Sequence, residues 1–96
     1  MFNIQGFYKI KSIVNCDLHK EKIKTYLLSQ SVKGTVILSP EGINGTIAGK
    51  KSNVNSCIKF IKDSFSIDIF DSKNSSTCKF LPFYRAKVKV KKEVVP

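Results

Sequence analysis

Acidic residues are scarce in this chain: 7 Asp+Glu stand against 17 Lys+Arg, a formal net charge of +10 over 96 residues. Cysteine and histidine are scarcer still. Cys16, Cys57 and Cys78 are odd in number and widely spaced, which excludes a C-x-x-C redox pair and the usual zinc spacings. None of the three is followed by the Gly-rich, Arg-terminated anion cradle that a cysteine-based transfer loop needs. Cys78 reaches Arg85 only through Lys79-Phe80-Leu81-Pro82-Phe83-Tyr84, which is bulky where small residues are required. The one histidine, His19, has no carboxylate pattern around it and reads as a solvated helix residue. There is no G-x-G-x-x-G fingerprint and no metal-ligand cluster, so the expectation is no cofactor, no metal, no catalytic residue and no turnover by this chain alone. No apolar run approaches ~18 residues and no signal pattern starts at Met1, so neither a membrane span nor secretion is expected. A cytoplasmic location follows by default.

The length and a 42% hydrophobic content fit one domain with a single core. Residues 7–14, aromatic and β-branched, read as the first strand. Tyr8, Ile10 and Ser12 then share one face, and Phe7, Lys9 and Lys11 share the other, which looks solvent-side. Asn15 or Asp17 can cap a helix running to about Gln30, with Ile23, Tyr26 and Leu27 on its apolar side and Lys20, Lys22 and Lys24 outward. A second helix, capped by Ser52 or Asn53, presents Val54, Cys57, Ile58, Ile61 and Phe65 at helical spacing. Cys57 sits in that stripe as a small buried hydrophobe. Ile67–Phe70 reads as a strand, and the polar stretch from Asp71 to Thr77 as a flexible loop.

Between the helices, residues 33–49 form the clearest local unit. Val36-Ile37-Leu38 is a continuous apolar run, Pro40 and Gly42 supply a turn, and Ile43, Gly45 and Ile47 alternate with Asn44, Thr46 and Ala48 on the return arm. This is a β-hairpin. Glu41 and Asn44 are left as polar groups at its tip, candidates for contact with another domain or with a ligand. Gly45 within a strand pattern signals a bulge or a close approach.

From Phe83 to Lys91 the alternation is strict, with Tyr84, Ala86, Val88 and Val90 on one face and Arg85, Lys87, Lys89 and Lys91 on the other. Same-face residues of a strand recur about every 6 to 7 Å, so the four cations form a row about 20 Å long. Such a row suits a polyanion, and nucleic-acid phosphates are the first candidate. The plainer reading is that lysines protect an exposed sheet edge. Phe7 could stack a base, but rings on adjacent central strands, as in RNA-recognition modules, are missing.

The element order is that of the α+β ferredoxin-like βαββαβ sandwich with an additional C-terminal strand: two helices on one face of an antiparallel sheet, the other face free. Nucleic-acid binding and acylphosphatase chemistry both occur on this fold. The second is disfavoured, because the first turn, read as Asn15-Cys16-Asp17-Leu18-His19, has neither Gly nor Arg, and the second strand ends in apolar Leu38 where a water-orienting Asn is needed.

Gly34-Thr35 before an apolar run, Glu41-Gly42-Ile43-Asn44-Gly45-Thr46 and Ala48-Gly49 form one block. Residues from Pro82 through Tyr84, Arg85 and Lys87 to Val94 and Val95 form another. The two blocks resemble the N-terminal domain of the bacterial rhodanese-domain proteins that hydroxylate the wobble uridine of tRNA. That family's catalytic cysteine lies in a following rhodanese-like domain. The resemblance therefore implies that residues 1–96 are the N-terminal part of a larger oxygen-dependent tRNA uridine 5-hydroxylase, with tRNA and the following domain as partners. A domain that only braces its neighbour, without touching RNA, is the alternative.

Overall fold

The computed structural model describes residues 1–93; Val94 and Val95 of the second block lie outside the described residues. Seven elements follow in the order β1 (Phe2–Ile10), α1 (Cys16–Ser29), β2 (Lys33–Ser39), β3 (Gly42–Gly49), α2 (Lys51–Phe65), β4 (Ser72–Cys78) and β5 (Ala86–Val90). They build one five-stranded sheet of order β4-β1-β3-β2-β5, antiparallel except where β5 lies parallel to β2. The expected ferredoxin-like sandwich is present, its sheet mixed because the fifth strand enters from the same end as β2.

The central hairpin supplies the middle of the core. Val36, Leu38, Ile43 and Ile47 are all fully buried under the helices. Burial of such side chains contributes about 1.5–3 kcal/mol each. Gly34 takes φ 125°, and a Cβ there would lie 2.1 Å from the carbonyl oxygen of Thr46. At Gly45 the register runs on without a bulge on both sides. The glycine is there for a close approach, since an added Cβ would meet the Phe7 ring at 2.7 Å.

Phe7 corrects the facing expected for the first strand. The strand runs over residues 2–10, not 7–14, and Phe7 is only 3% exposed, its ring 5.1 Å from that of Phe70. The helix-covered side of β1 is thus the Asn3, Gln5, Phe7 side, and Phe7 is not available to a base. Asn3 and Gln5 are tolerated there because they bond one another and their neighbours: Gln5 Nε2 donates to Asn3 Oδ1 at 2.8 Å and to Asn55 Oδ1 at 2.9 Å, and Asn3 Nδ2 to Ser75 Oγ at 3.0 Å.

Ile67–Phe70 is not a strand; its Ile67 and Phe70 plug the core from an irregular segment, and the polar stretch beyond it is β4. An edge strand with one neighbour needs no apolar face, so Ser, Asn, Thr and Lys serve. The first helix has Asn15 at its cap position in a left-handed conformation without a side-chain cap bond, and the second starts at Lys51, ahead of Ser52 and Asn53. Its predicted stripe, Val54 to Phe65, is buried throughout. His19 is half-buried against Phe65, ring centroids 4.6 Å apart, and not a solvated residue.

Candidate nucleic-acid interface

Strand registers divide the sheet into two ends. The lower end holds Phe2, Lys33, Gly49, Cys78 and Ala86; the upper holds Ile10, Ser39, Gly42, Ser72 and Val90. Lys50 and Lys51 open α2 at the lower end, Lys79 follows β4 there, and Arg85 precedes β5, its carbonyl accepting the Gly34 amide at 2.8 Å. Lys33, Lys50, Lys51, Lys79 and Arg85 thus share one end, with Lys87 one pleat above. All seven carboxylates, those of Asp17, Glu21, Glu41, Asp63, Asp68, Asp71 and Glu93, belong to segments of the upper half. Among the described residues the ion pairs are Lys9–Asp71 and Lys59–Asp63, both 3.2 Å, so no lower-end cation is neutralised.

The cation row occupies the edge strand. Ala86 and Val88 are buried and Lys87 and Lys89 exposed, so the alternation holds within β5. Arg85 and Lys91 are exposed and flank it, the Lys91 amide continuing the ladder to the carbonyl of Leu38 at 2.8 Å. The regular strand is shorter than the expected 83–91, and Tyr84 lies outside it, 95% exposed and not on the inner face. Lys33, Lys50, Lys51 and Lys79 were not legible as part of a surface, because three separate segments supply them.

Segment 79–85 carries the chain from one sheet edge to the other, about 19 Å at four strand spacings of ~4.8 Å. It passes the lower end, where Leu81 lines one cleft with Phe2, Lys33, Gly49 and Lys50, and then brings Phe83 to a second cleft on the uncovered sheet face. A cleft of 460 Å³ opens between Gly34, Thr35, Phe83, Tyr84, Arg85 and Lys87. A smaller one, of 170 Å³, lies across Phe83 against Thr35, Ile37, Asn44 and Thr46.

Of the two expected tip residues, Glu41 is exposed in the two-residue turn, whereas Asn44 lies within β3, half-buried on the uncovered face beside Ile37 and Tyr8. Asn44 is therefore not at the tip. The turn is tied to the connection between β1 and α1: the amides of Lys11 and Ile13 donate to the carbonyls of Glu41 and Pro40 at 2.9 and 3.1 Å. That connection is residues 11–15, Lys-Ser-Ile-Val-Asn, ahead of the segment expected, and it too has neither Gly nor Arg. Two of the amides that a phosphate cradle would use are spent on the hairpin. Burial pushes the Cys57 thiol up to about 12, and burial with the Asp17 charge raises that of Cys16, so neither is an activated nucleophile.

The sheet order, the helix-covered face and the element sequence are those of an acylphosphatase-like ferredoxin domain. A likeness of that kind extends to solved structures: Bacillus subtilis acylphosphatase superposes at a TM-score of 0.61 with 11% identity, covering 95% of this chain and 100% of that one. Full-length HypF matches at 0.64 with 17% identity, over 100% of this chain and 13% of that one. Within that class, residues 2–94 match the family described as the UPF0176 acylphosphatase like domain, and the chain belongs to this family as its N-terminal domain. Relatives include the tRNA uridine(34) hydroxylase of Pelagibacter ubique (strain HTCC1062), 44% identical over 100% of this chain and 32% of that protein. The protein of the same name from Teredinibacter turnerae is 34% identical over 96% of this chain and 28% of that one. The chain thus spans about a third of the length of these curated relatives.

Proposed function

We propose that this domain holds tRNA by its phosphates for a longer protein that hydroxylates uridine 34, the reaction for which its relatives are named and which the family resemblance makes oxygen-dependent. The observation that carries the reading is the polarity of charge: six cations gathered from β2, the start of α2, the exit of β4 and β5, continued up the same edge strand by Lys89, with every carboxylate in the other half. Cations at the start of a helix oppose its dipole, at a cost of about 0.3–1 kcal/mol each when exposed. Lys50 and Lys51 accept that cost together, which a merely solubilising surface does not require. Phosphate contacts of this kind supply affinity and orientation but no sequence preference. The chemistry itself belongs to the rhodanese-like domain expected after this one, in a protein that works in the cytoplasm.

Binding of tRNA to the chain, followed across salt concentrations, tests the reading. Lys87→Ala with Lys89→Ala should flatten the dependence of log affinity on log salt by about 1.4 to 1.8, the contribution of two phosphates. Different tRNAs should be weakened alike. Binding that ignores salt, or a slope untouched by the substitutions, would remove this surface.

A bracing role has its own support at the opposite end. Ile10, Val14, Leu18 and Ile69 are exposed there, Val14 to 72% and Ile69 to 75%, around the end from which β5 leaves the fold. An apolar upper end against the following domain and a basic lower end against RNA are compatible. Arginine or lysine placed at Val14 and Ile69 should impair modification in the longer protein while tRNA binding persists.

A further inference from the structure

We propose that the cleft under segment 79–85 is a binding site for one unpaired nucleotide, phosphate on Arg85 and Lys87 and base between the rings of Phe83 and Tyr84. It rests on the nucleic-acid reading above and adds to it a place for a base, which phosphate tracking alone does not require.

Three observations converge. Tyr84, at 95%, is the most exposed of the large hydrophobic side chains among the described residues and gains nothing for the fold by standing there. It stands beside a cleft of 460 Å³, within the roughly 300–1,000 Å³ that small-molecule sites occupy. The remaining walls have the chemistry a nucleotide needs: two cations at the mouth, the half-buried ring of Phe83 as one side and Thr35 on the floor. Phe83 also walls the neighbouring cleft, whose Thr46 hydroxyl can donate to or accept from a base edge passing over the ring. A duplex cannot use this site, since its bases are already stacked on one another. Rings with adjacent cations are how single strands are held, because every base offers a π-face.

The discriminating experiment titrates the 96-residue chain, by fluorescence anisotropy, into a short single-stranded oligouridylate and into an RNA duplex of equal length. Tyr84→Ala should weaken the single strand about 5- to 150-fold, the range found for losing one stacked base, and leave the duplex unchanged. Phe83→Leu, which keeps an apolar side chain on the sheet, should do the same with an unaltered circular dichroism spectrum. Phe80→Ala is the control, for that ring is 78% exposed and lines neither cleft, and it should bind both RNAs as the parent does. If Tyr84→Ala and Phe83→Leu bind the single strand like the parent, the nucleotide site is refuted while phosphate binding stands. An equal loss in Phe80→Ala also refutes it. A parent chain that binds neither RNA overturns both this site and the function proposed above.

Discussion

Two variants with the same net charge separate a local phosphate surface from general electrostatic attraction. Lys33→Ala with Lys50→Ala removes two cations from the lower end, and Lys73→Ala with Lys92→Ala removes two from the upper half that lie outside the cation row; each takes the formal charge from +10 to +8. Lys33 pairs with Ala48 at the foot of the sheet, and Lys50 lines the same cleft as Lys33 and Leu81. Lys73, on β4 two residues from Asp71, instead pairs with Phe7, and Lys92 adjoins Glu93. For a duplex region each phosphate contact contributes about −0.9 to the slope of log affinity against log salt, so the lower-end variant should lose about 1.8. Over the fourfold change from about 50 to 200 mM salt, that makes the parent's fall in affinity some 12-fold larger than the variant's. The upper-end variant should follow the parent to within the modest shift that net charge alone produces. Anisotropy titrations with one tRNA at four or more salt concentrations read both slopes. Equal slopes for the two variants would refute a localised surface and leave only general attraction.

Gly34→Ala should destabilise strongly, because its φ of 125° and the Thr46 oxygen 2.1 Å from the added Cβ both oppose it. Strain of about 1–3 kcal/mol before any steric displacement corresponds to a melting temperature lower by roughly 4–24 °C, measured by thermal circular dichroism. The Asp71 carboxyl is held below the usual carboxylate range by the Ile10 amide at 2.7 Å and by Lys9. Its contribution to stability is therefore complete above the unfolded pKa and is lost as pH falls through the lower folded value; in urea titrations Asp71→Asn should be less stable than the parent near neutrality and converge with it in acid, flattening the acid limb. Cys57, buried and raised to about 12, should resist alkylation in the native chain at mildly alkaline pH and react only on unfolding, whereas Cys16 and Cys78 react directly. Native labelling of Cys57 at the rate of the other two would show that the α2 face is not closed.

Where burial is one-sided and local, the sequence determined the outcome. The hairpin of residues 33–49 and the stripe from Val54 to Phe65 are spelled by period two and period 3.6, and both are present as read. The alternation of Ala86, Lys87, Val88 and Lys89 likewise fixed which side of β5 carries cations. Tertiary structure alone decided the rest. Polar Asn3 and Gln5 face the helices because Asn55 and Ser75 arrive to bond them, and Phe7 turns inward because Gly45 leaves room; neither partner is near in sequence. The strand of Ser72–Cys78 exists because β1 offers it an open edge, not because its residues favour a sheet. The basic end is the furthest from legible, since Lys33, Lys50, Lys79 and Arg85 share one end of the sheet only when three separate segments return to it. Charge acts through space, so a pattern built from isolated lysines has no period along the chain by which to be recognised.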